Sequence, residues 1–170
     1  MIPPFLVISP LAWWYWLFGD SACTVSPAGT EDAEQLAVLH GAAFRRGWSP
    51  EEFERLLIEP NVVADRAMSG ARLAGFAMSR LAADQAELLS VAVAAPHRGR
   101  GLARKLLDVH LRRLALYGID AVFLEVDEQN LPARRLYAGL RFREVGRRES
   151  YYADVGKEAG AALVLRRDFG

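Results

Sequence analysis

A chain of 170 residues with 52% hydrophobic and 25% charged residues is a globular domain with a core large enough to fold alone, which excludes a disordered or low-complexity protein. Its single cysteine, Cys23, excludes a disulfide framework and a cysteine-based metal site, and fits a reducing, cytoplasmic compartment. Net charge is zero, but residues 1–94 carry 6 Lys/Arg against 11 Asp/Glu and residues 95–170 carry 15 against 10. That imbalance suits an anionic ligand in the second half and lacks the dense basic face of a nucleic-acid binder.

Residues 1–22 stand apart as an N-terminal extension ahead of a domain over 23–170. Residues 5–18 are almost wholly apolar, yet they fall short of the ~20 residues of a membrane span, and Pro10 interrupts them. Nothing basic precedes them, as a secretory signal would require. Three readings are open: packing on the domain or a sister subunit, contact with a membrane interface where tryptophan is favoured, or an extension outside the functional domain. Residues 23–25 read as a first strand with Cys23 as an inert packed thiol. Thr30 is the expected N-cap of a first helix, with Glu31, Asp32 and Glu34 in its first turn and Leu36, Leu39 and Ala43 at helical spacing. Residues 44–48 form a loop. Ser49, Pro50 and Glu52 combine an N-cap, a first-position proline and a capping-box glutamate for a second helix that ends by Pro60.

Residues 61–65 and 71–80 read as strands, and 85–94 as a third that Pro96 terminates, since proline has no N–H to donate. Arg98-Gly99-Arg100-Gly101-Leu102-Ala103 is a glycine turn opening a helix over 101–117. That helix has an apolar stripe at Leu102, Leu106, Leu107, Leu111 and Leu114, and Gly118 ends it. Residues 121–126 form a short, nearly all-apolar strand expected to be buried. Residues 130–138 form a short helix with Asn130 as N-cap. Residues 142–148 and 161–165 are closing strands, joined by a loop that holds Tyr151 and Tyr152. The layout is mixed α/β, with about seven strands and four helices. The unit from Gln85 to Val126 is a right-handed crossover, so its two strands should be parallel.

The glycine turn presents bare N–H groups at the positive end of a helix dipole, a site for an anion such as a pyrophosphate. It lacks the Gly-Lys-Ser/Thr of a Walker loop and the three spaced glycines of a dinucleotide fingerprint, and the chain has no G-x-S-x-G elbow. Glu125 lies within an apolar strand. Burial there would raise its pKa and make it a base near neutral pH; the other reading is a strand-end carboxylate turned to solvent. Asn130, Ala133 or Arg134, and Tyr137 share one helix face, which returns Tyr137 toward Glu125 and the glycine turn unless it is simply a core aromatic. His40, His97 and His110 lie on separate elements without ligand spacing, so no metal site is expected. His97 either touches a phosphate or packs the turn.

These residues resemble a known family. Arg98-Gly-Arg-Gly-Leu-Ala103 fits the Gln/Arg-x-x-Gly-x-Gly/Ala pattern of the GCN5-related (GNAT) N-acetyltransferases, and Asn130-Leu-Pro-Ala-Arg-Arg-Leu-Tyr137 is similar to their Asn-x-x-Ala-x-x-Leu-Tyr segment. With Leu124-Glu-Val126 and the Tyr151-Tyr152 pair, residues 23–167 look most like the RimI-type ribosomal-protein alanine N-acetyltransferases. The resemblance implies a mixed, mostly antiparallel sheet flanked by helices, with acetyl-CoA as cosubstrate and no metal. It implies that Arg98, Gly99, Arg100, Gly101, Leu102, Ala103 and Arg104 grip the pyrophosphate. Val91, Ala92 and Val93 would pair with the pantetheine, and Asn130 would contact CoA. Glu125 would be the general base and Tyr137 the general acid. Phe44, Trp48, Tyr151 and Tyr152 would flank the acceptor, a protein N-terminus beginning with Ala or Ser, as on a ribosomal protein. Glu87 is a second candidate base. The family's Leu-Gly-Phe is Leu140-Arg141-Phe142 here, and a left-handed arginine at that site costs ~1 kcal/mol relative to glycine. Acetylation of a small amine or a lysine side chain is the alternative activity, and a non-catalytic acetyl-CoA-binding module is the alternative of another class.

Overall fold

A computed structural model describes residues 23–148 and 161–170; the apolar segment 5–18 and the Tyr151-Tyr152 pair lie outside the described residues. Seven strands form one mixed sheet: β1 (Cys23–Pro27), β2 (Val62–Ser69), β3 (Arg72–Ala82), β4 (Gln85–Val93), β5 (Ala121–Asp127), β6 (Arg143–Arg148) and β7 (Ala162–Asp168), ordered β1-β2-β3-β4-β5-β7-β6. Four helices join them: α1 (Ala33–Ala43), α2 (Pro50–Ile58), α3 (Leu102–Leu116) and α4 (Leu131–Gly139). The crossover from β4 through α3 to β5 is parallel, as expected, and every other pairing is antiparallel.

The leucine stripe of α3 forms one core. Leu102, Leu106, Leu107, Leu111 and Leu114 are each at most 1% exposed and pack on Val122, Leu124 and Val126 of β5. At about 2 kcal/mol per buried leucine, this face fixes α3, and with it the glycine turn, against the sheet. Cys23 is buried in the same cluster. On the opposite face, α1 and α2 bring Leu36, Leu39 and Phe53 against Ala64, Phe76, Met78 and Ala92.

Helix α2 starts as its sequence implies. Ser49 Oγ accepts from Glu52 N at 3.3 Å, and Glu52 Oε2 accepts from Ser49 N at 2.7 Å. Helix α1 starts later than expected. Thr30 lies in a 3-10 turn (Thr30–Asp32), and Asp32 stands at the N-cap position of α1 without a side-chain capping bond to that helix. Its carboxylate accepts from Gly29 N at 2.9 Å and pairs with Arg66 on β2, so tertiary anchoring moves the start to Ala33. Ala43 is exposed, and His40 completes the buried stripe in its place. Strand β2 runs past Asp65 to Ser69 because β1 and β3 pair with it along that length.

Helices α3 and α4 end in the same C-terminal motif. In α3, Gly118 is left-handed (φ 78°), with Gly118 N bonded to Ala115 O at 3.0 Å and Ile119 N to Leu114 O at 3.2 Å. In α4, Arg141 takes the glycine's place (φ 66°), with Arg141 N bonded to Ala138 O and Phe142 N to Tyr137 O, each at 3.0 Å. The motif's apolar contact is Phe142 edge-on to Tyr137, 5.6 Å between centroids. Arg141→Gly removes the left-handed penalty but gives the unfolded chain more freedom. The expected net gain is about 0.5–1 kcal/mol, read as a higher denaturation midpoint at unchanged m-value.

Candidate active site

The parallel pairing of β4 and β5 is short. Only Gln85, Ala86 and Glu87 pair with Ala121, Val122 and Phe123. Beyond them the strands part, while β4 stays paired with β3 as far as Val93. The β5-facing edge from Leu88 to Val93, including Val91 and Ala92, therefore has no strand partner, and such an edge is a template for an extended ligand. Along β4 the register steps from Met78↔Ser90 to Ser79↔Leu88, leaving Leu89 as the extra residue of a bulge. The bulge re-aims the strand. Before it, Leu88 joins the α3-side core; after it, Val91 and Val93 pack on that side while Ala92 joins the α1–α2 side.

The glycine turn follows. Gly99 (φ 72°) and Gly101 (φ 82°) are both left-handed, and a Cβ at either would meet nothing within 4 Å. Gly101 caps α3 with no side-chain acceptor, so the first-turn N–H groups of Leu102, Ala103 and Arg104 have no partner inside the helix. The space and the donor set fit a pyrophosphate. Arg98 Nε donates to Val93 O at 2.8 Å, drawing the turn back onto the strand end. Arg104 Nη2 donates to Gly139 O at 3.2 Å, which holds the end of α4, two residues beyond Tyr137, against the first turn of α3.

Glu125 is turned to solvent rather than buried, the second of the two readings open for it. Its side chain is 44% exposed, with Oε1 3.0 Å from Arg148 Nη1. The reason is the strand's alternation. Val122, Leu124 and Val126 face the α3 core, so Glu125 faces away, and the parted β4 does not cover it. Glu87, paired with Phe123, shares that outward face. Tyr137 is on the other side, half-buried against the α3-side core. Burial pushes its phenol up to about 12, so it keeps its proton throughout the neutral range. Asn130 caps α4 as expected, its Oδ1 accepting from Ala133 N at 3.2 Å. Phe44 is 41% exposed and Trp48 half-buried at the two ends of the loop between α1 and α2.

Sequence reasoning missed a buried network. Ser79 Oγ lies 2.8 Å from His110 Nε2, His110 Nδ1 lies 2.7 Å from Asp65 Oδ2, and Arg113 Nη2 lies 2.6 Å from Asp65 Oδ1. Ser79, His110 and Asp65 are fully buried, so this Ser-His-Asp set has no access to substrate and serves to join α3 to β2 and β3. A carboxylate inside Val62-Val-Ala-Asp-Arg-Ala-Met68 was the available signal. Among the described residues, no group of three or more acidic, histidine or cysteine side chains is placed to hold a metal.

Residues 33–142 match the family model described as the acetyltransferase (GNAT) family. Over 153 residues the chain is 34% identical to the N-alpha-acetyltransferase RimI of Mycobacterium tuberculosis, covering 86% of this chain and 93% of that protein. Over 148 residues it is 37% identical to the ribosomal protein bS18-alanine N-acetyltransferase of Salmonella typhimurium, covering 84% and 96%. The crystal structure of the ribosomal-protein-S18-alanine N-acetyltransferase from Escherichia coli superposes with a TM-score of 0.78 at 25% identity, covering 86% of this chain and 93% of that one. Arabidopsis thaliana NAA60 in complex with acetyl-CoA has the same fold, with a TM-score of 0.73 at 21% identity.

Proposed function

The chain belongs to the GNAT acetyltransferase family and is an acetyl-CoA-dependent N-acetyltransferase, and from that premise we propose that it acetylates the N-terminal α-amino group of a ribosomal protein beginning with Ala or Ser. The reaction is direct attack in a ternary complex, in the cytoplasm, by a catalytic domain spanning residues 23–170. The observation that carries this reading is the parting of β4 from β5, with an open carboxylate on one side and a protonated phenol on the other.

In this account the N–H groups of Leu102, Ala103 and Arg104, with the turn of Arg98, Gly99, Arg100 and Gly101, grip the pyrophosphate of acetyl-CoA. Val91, Ala92 and Val93 pair with the pantetheine along the open edge, and their N–H groups steady the oxyanion that develops on the thioester carbonyl. The Asn130 cap occupies Oδ1 and leaves the Nδ2 donor for the cofactor. An α-amino group has a pKa of about 8 and is mostly protonated at neutral pH, so Glu125 takes its proton, directly or through water. Glu87 is the alternative base on the same face. A phenol near 12 is a weaker acid than a thiol, whose pKa is about 8.5. Tyr137 therefore acts by donating a hydrogen bond that stabilises the departing thiolate, without giving up its own proton. Phe44 and Trp48 line the acceptor side.

The test compares a peptide with a free N-terminal Ala or Ser against the same peptide with a blocked N-terminus and an internal lysine. The expected result is acetyl-CoA-dependent modification of the free N-terminus alone. Equal rates on the two peptides would overturn the reading in favour of a lysine or general amine acetyltransferase, and no transfer to any amine would favour the non-catalytic module.

A further inference from the structure

We propose that His40 is the positioning residue of the acceptor loop, and that binding of the acceptor, but not of acetyl-CoA, depends on its ring being neutral. The inference rests on the reading above that Phe44 and Trp48 line the acceptor.

Two aromatic side chains stack on the imidazole. The Phe44 ring lies 4.4 Å from it at 28°, and the Trp48 ring 4.5 Å at 17°. Two rings at these distances cannot share one face of an imidazole, so His40 is sandwiched between the two ends of the loop. The backbone repeats the pattern. Phe44 N donates to His40 O at 2.9 Å, and Trp48 N donates to His40 Nδ1 at 3.0 Å. Phe53 of α2 meets the ring edge-on at 5.7 Å, and His40 is 4% exposed. Gly47 passes so close to α1 that a Cβ on it would meet Gly41 Cα at 2.9 Å, so the loop folds directly back on the helix that carries His40. One side chain thus orders both aromatic ends of a loop whose middle, from Arg45 to Gly47, is exposed.

The Trp48 bond needs a lone pair on Nδ1, so the ring is neutral with its proton on Nε2. Protonation would set one donor against another and release the Trp48 end. Glu52 of α2 acts on the ring electrostatically and favours the protonated form. Phe53 and Phe76 contribute only rings. Burial outweighs Glu52 and holds the ring below the ordinary histidine value. The neutral contact is therefore complete above about pH 6.5 and is lost as the pH falls below that and through the lower value that burial sets.

Two variants separate the contributions. His40→Phe keeps the stacking and removes the acceptor atom; His40→Asn keeps an acceptor where Nδ1 lies and removes the ring. With a peptide bearing N-terminal Ala, each is expected to raise the peptide KM about 5-fold, the size of one lost hydrogen bond or stacking contact, with the acetyl-CoA KM and kcat unchanged. In the wild type an added acid limb in kcat/KM for the peptide appears below about pH 6.5, and it is absent from His40→Phe. Wild-type peptide KM in both variants, or an identical acid limb in His40→Phe, would overturn the proposal. Amide exchange at Trp48 in the free enzyme reads the hold on the loop without any acceptor. Faster exchange in His40→Phe, and in the wild type on acidification, is expected; unchanged exchange in both overturns the proposal. A wild-type enzyme inert on free N-termini would count against the acceptor assignment alone, because the exchange measurement does not depend on it.

Discussion

Glu125→Gln lowers kcat for peptide acetylation by about 10²–10⁴-fold, the range a positioned general base contributes, and leaves acetyl-CoA affinity unchanged. Glutamine keeps the shape and the hydrogen bonding of the side chain but cannot take the ammonium proton. Position is the main argument for Glu125. It projects from β5 beside the parting, on the face away from the α3 core, where an amine can arrive from solvent. Its contact with Arg148 orients the carboxylate without closing it off. Both partners are substantially exposed, and such pairs contribute at most about 1 kcal/mol, so an incoming ammonium can displace the arginine. Glu87→Gln is the necessary comparison, since Glu87 shares the face one strand away. A larger loss in Glu87→Gln than in Glu125→Gln, measured in the same assay, would move the base to β4.

Asp65→Ala destabilises the fold by about 3–5 kcal/mol, the cost of leaving buried charged and polar partners without their counterpart, or on the order of 10 °C in Tm for a domain of this size. Asp65 is wholly buried and serves His110 with one oxygen and Arg113 with the other. Its removal orphans both, and through His110 it also loosens Ser79. These contacts hold the C-terminal half of α3, whose first turn is the proposed pyrophosphate grip. Thermal or urea unfolding checks the prediction, and a loss below about 1 kcal/mol, within the range of an ordinary surface substitution, would show that the network is not a structural joint.

The parts of the molecule that could be read from sequence are the local ones. The Ser49 cap, the leucine stripe of α3, the glycine turn and the Asn130 cap are each written within a few residues, and each is where it was expected. The left-handed site at Arg141 was legible because a glycine normally stands there. What could not be read depends on distant partners. Asp65, Ser79 and His110 are spread over 45 residues of chain and meet only when α3 crosses β2 and β3. Whether Glu125 is buried or turned to solvent could not be read from its apolar neighbours, because those neighbours fill one face only, and no local residue encodes where β4 stops pairing with β5. His40 lacks the spacing of a metal ligand, but it stands four residues beyond Leu36 on the buried stripe, at a position that helical spacing shares with the exposed Ala43.

The most direct test of the account is a crystal structure with a bisubstrate analogue, CoA joined through an acetyl linker to a peptide beginning with Ala. The account predicts the pyrophosphate on the first turn of α3 and the pantetheine along Val91 to Val93. It places the sulfur within hydrogen-bond reach of Tyr137 Oη, and the peptide nitrogen on the Glu125 face, with the peptide passing over the loop that carries Phe44 and Trp48. A linker running outside the parting of β4 and β5, or a peptide entering from the α3 side, would contradict it.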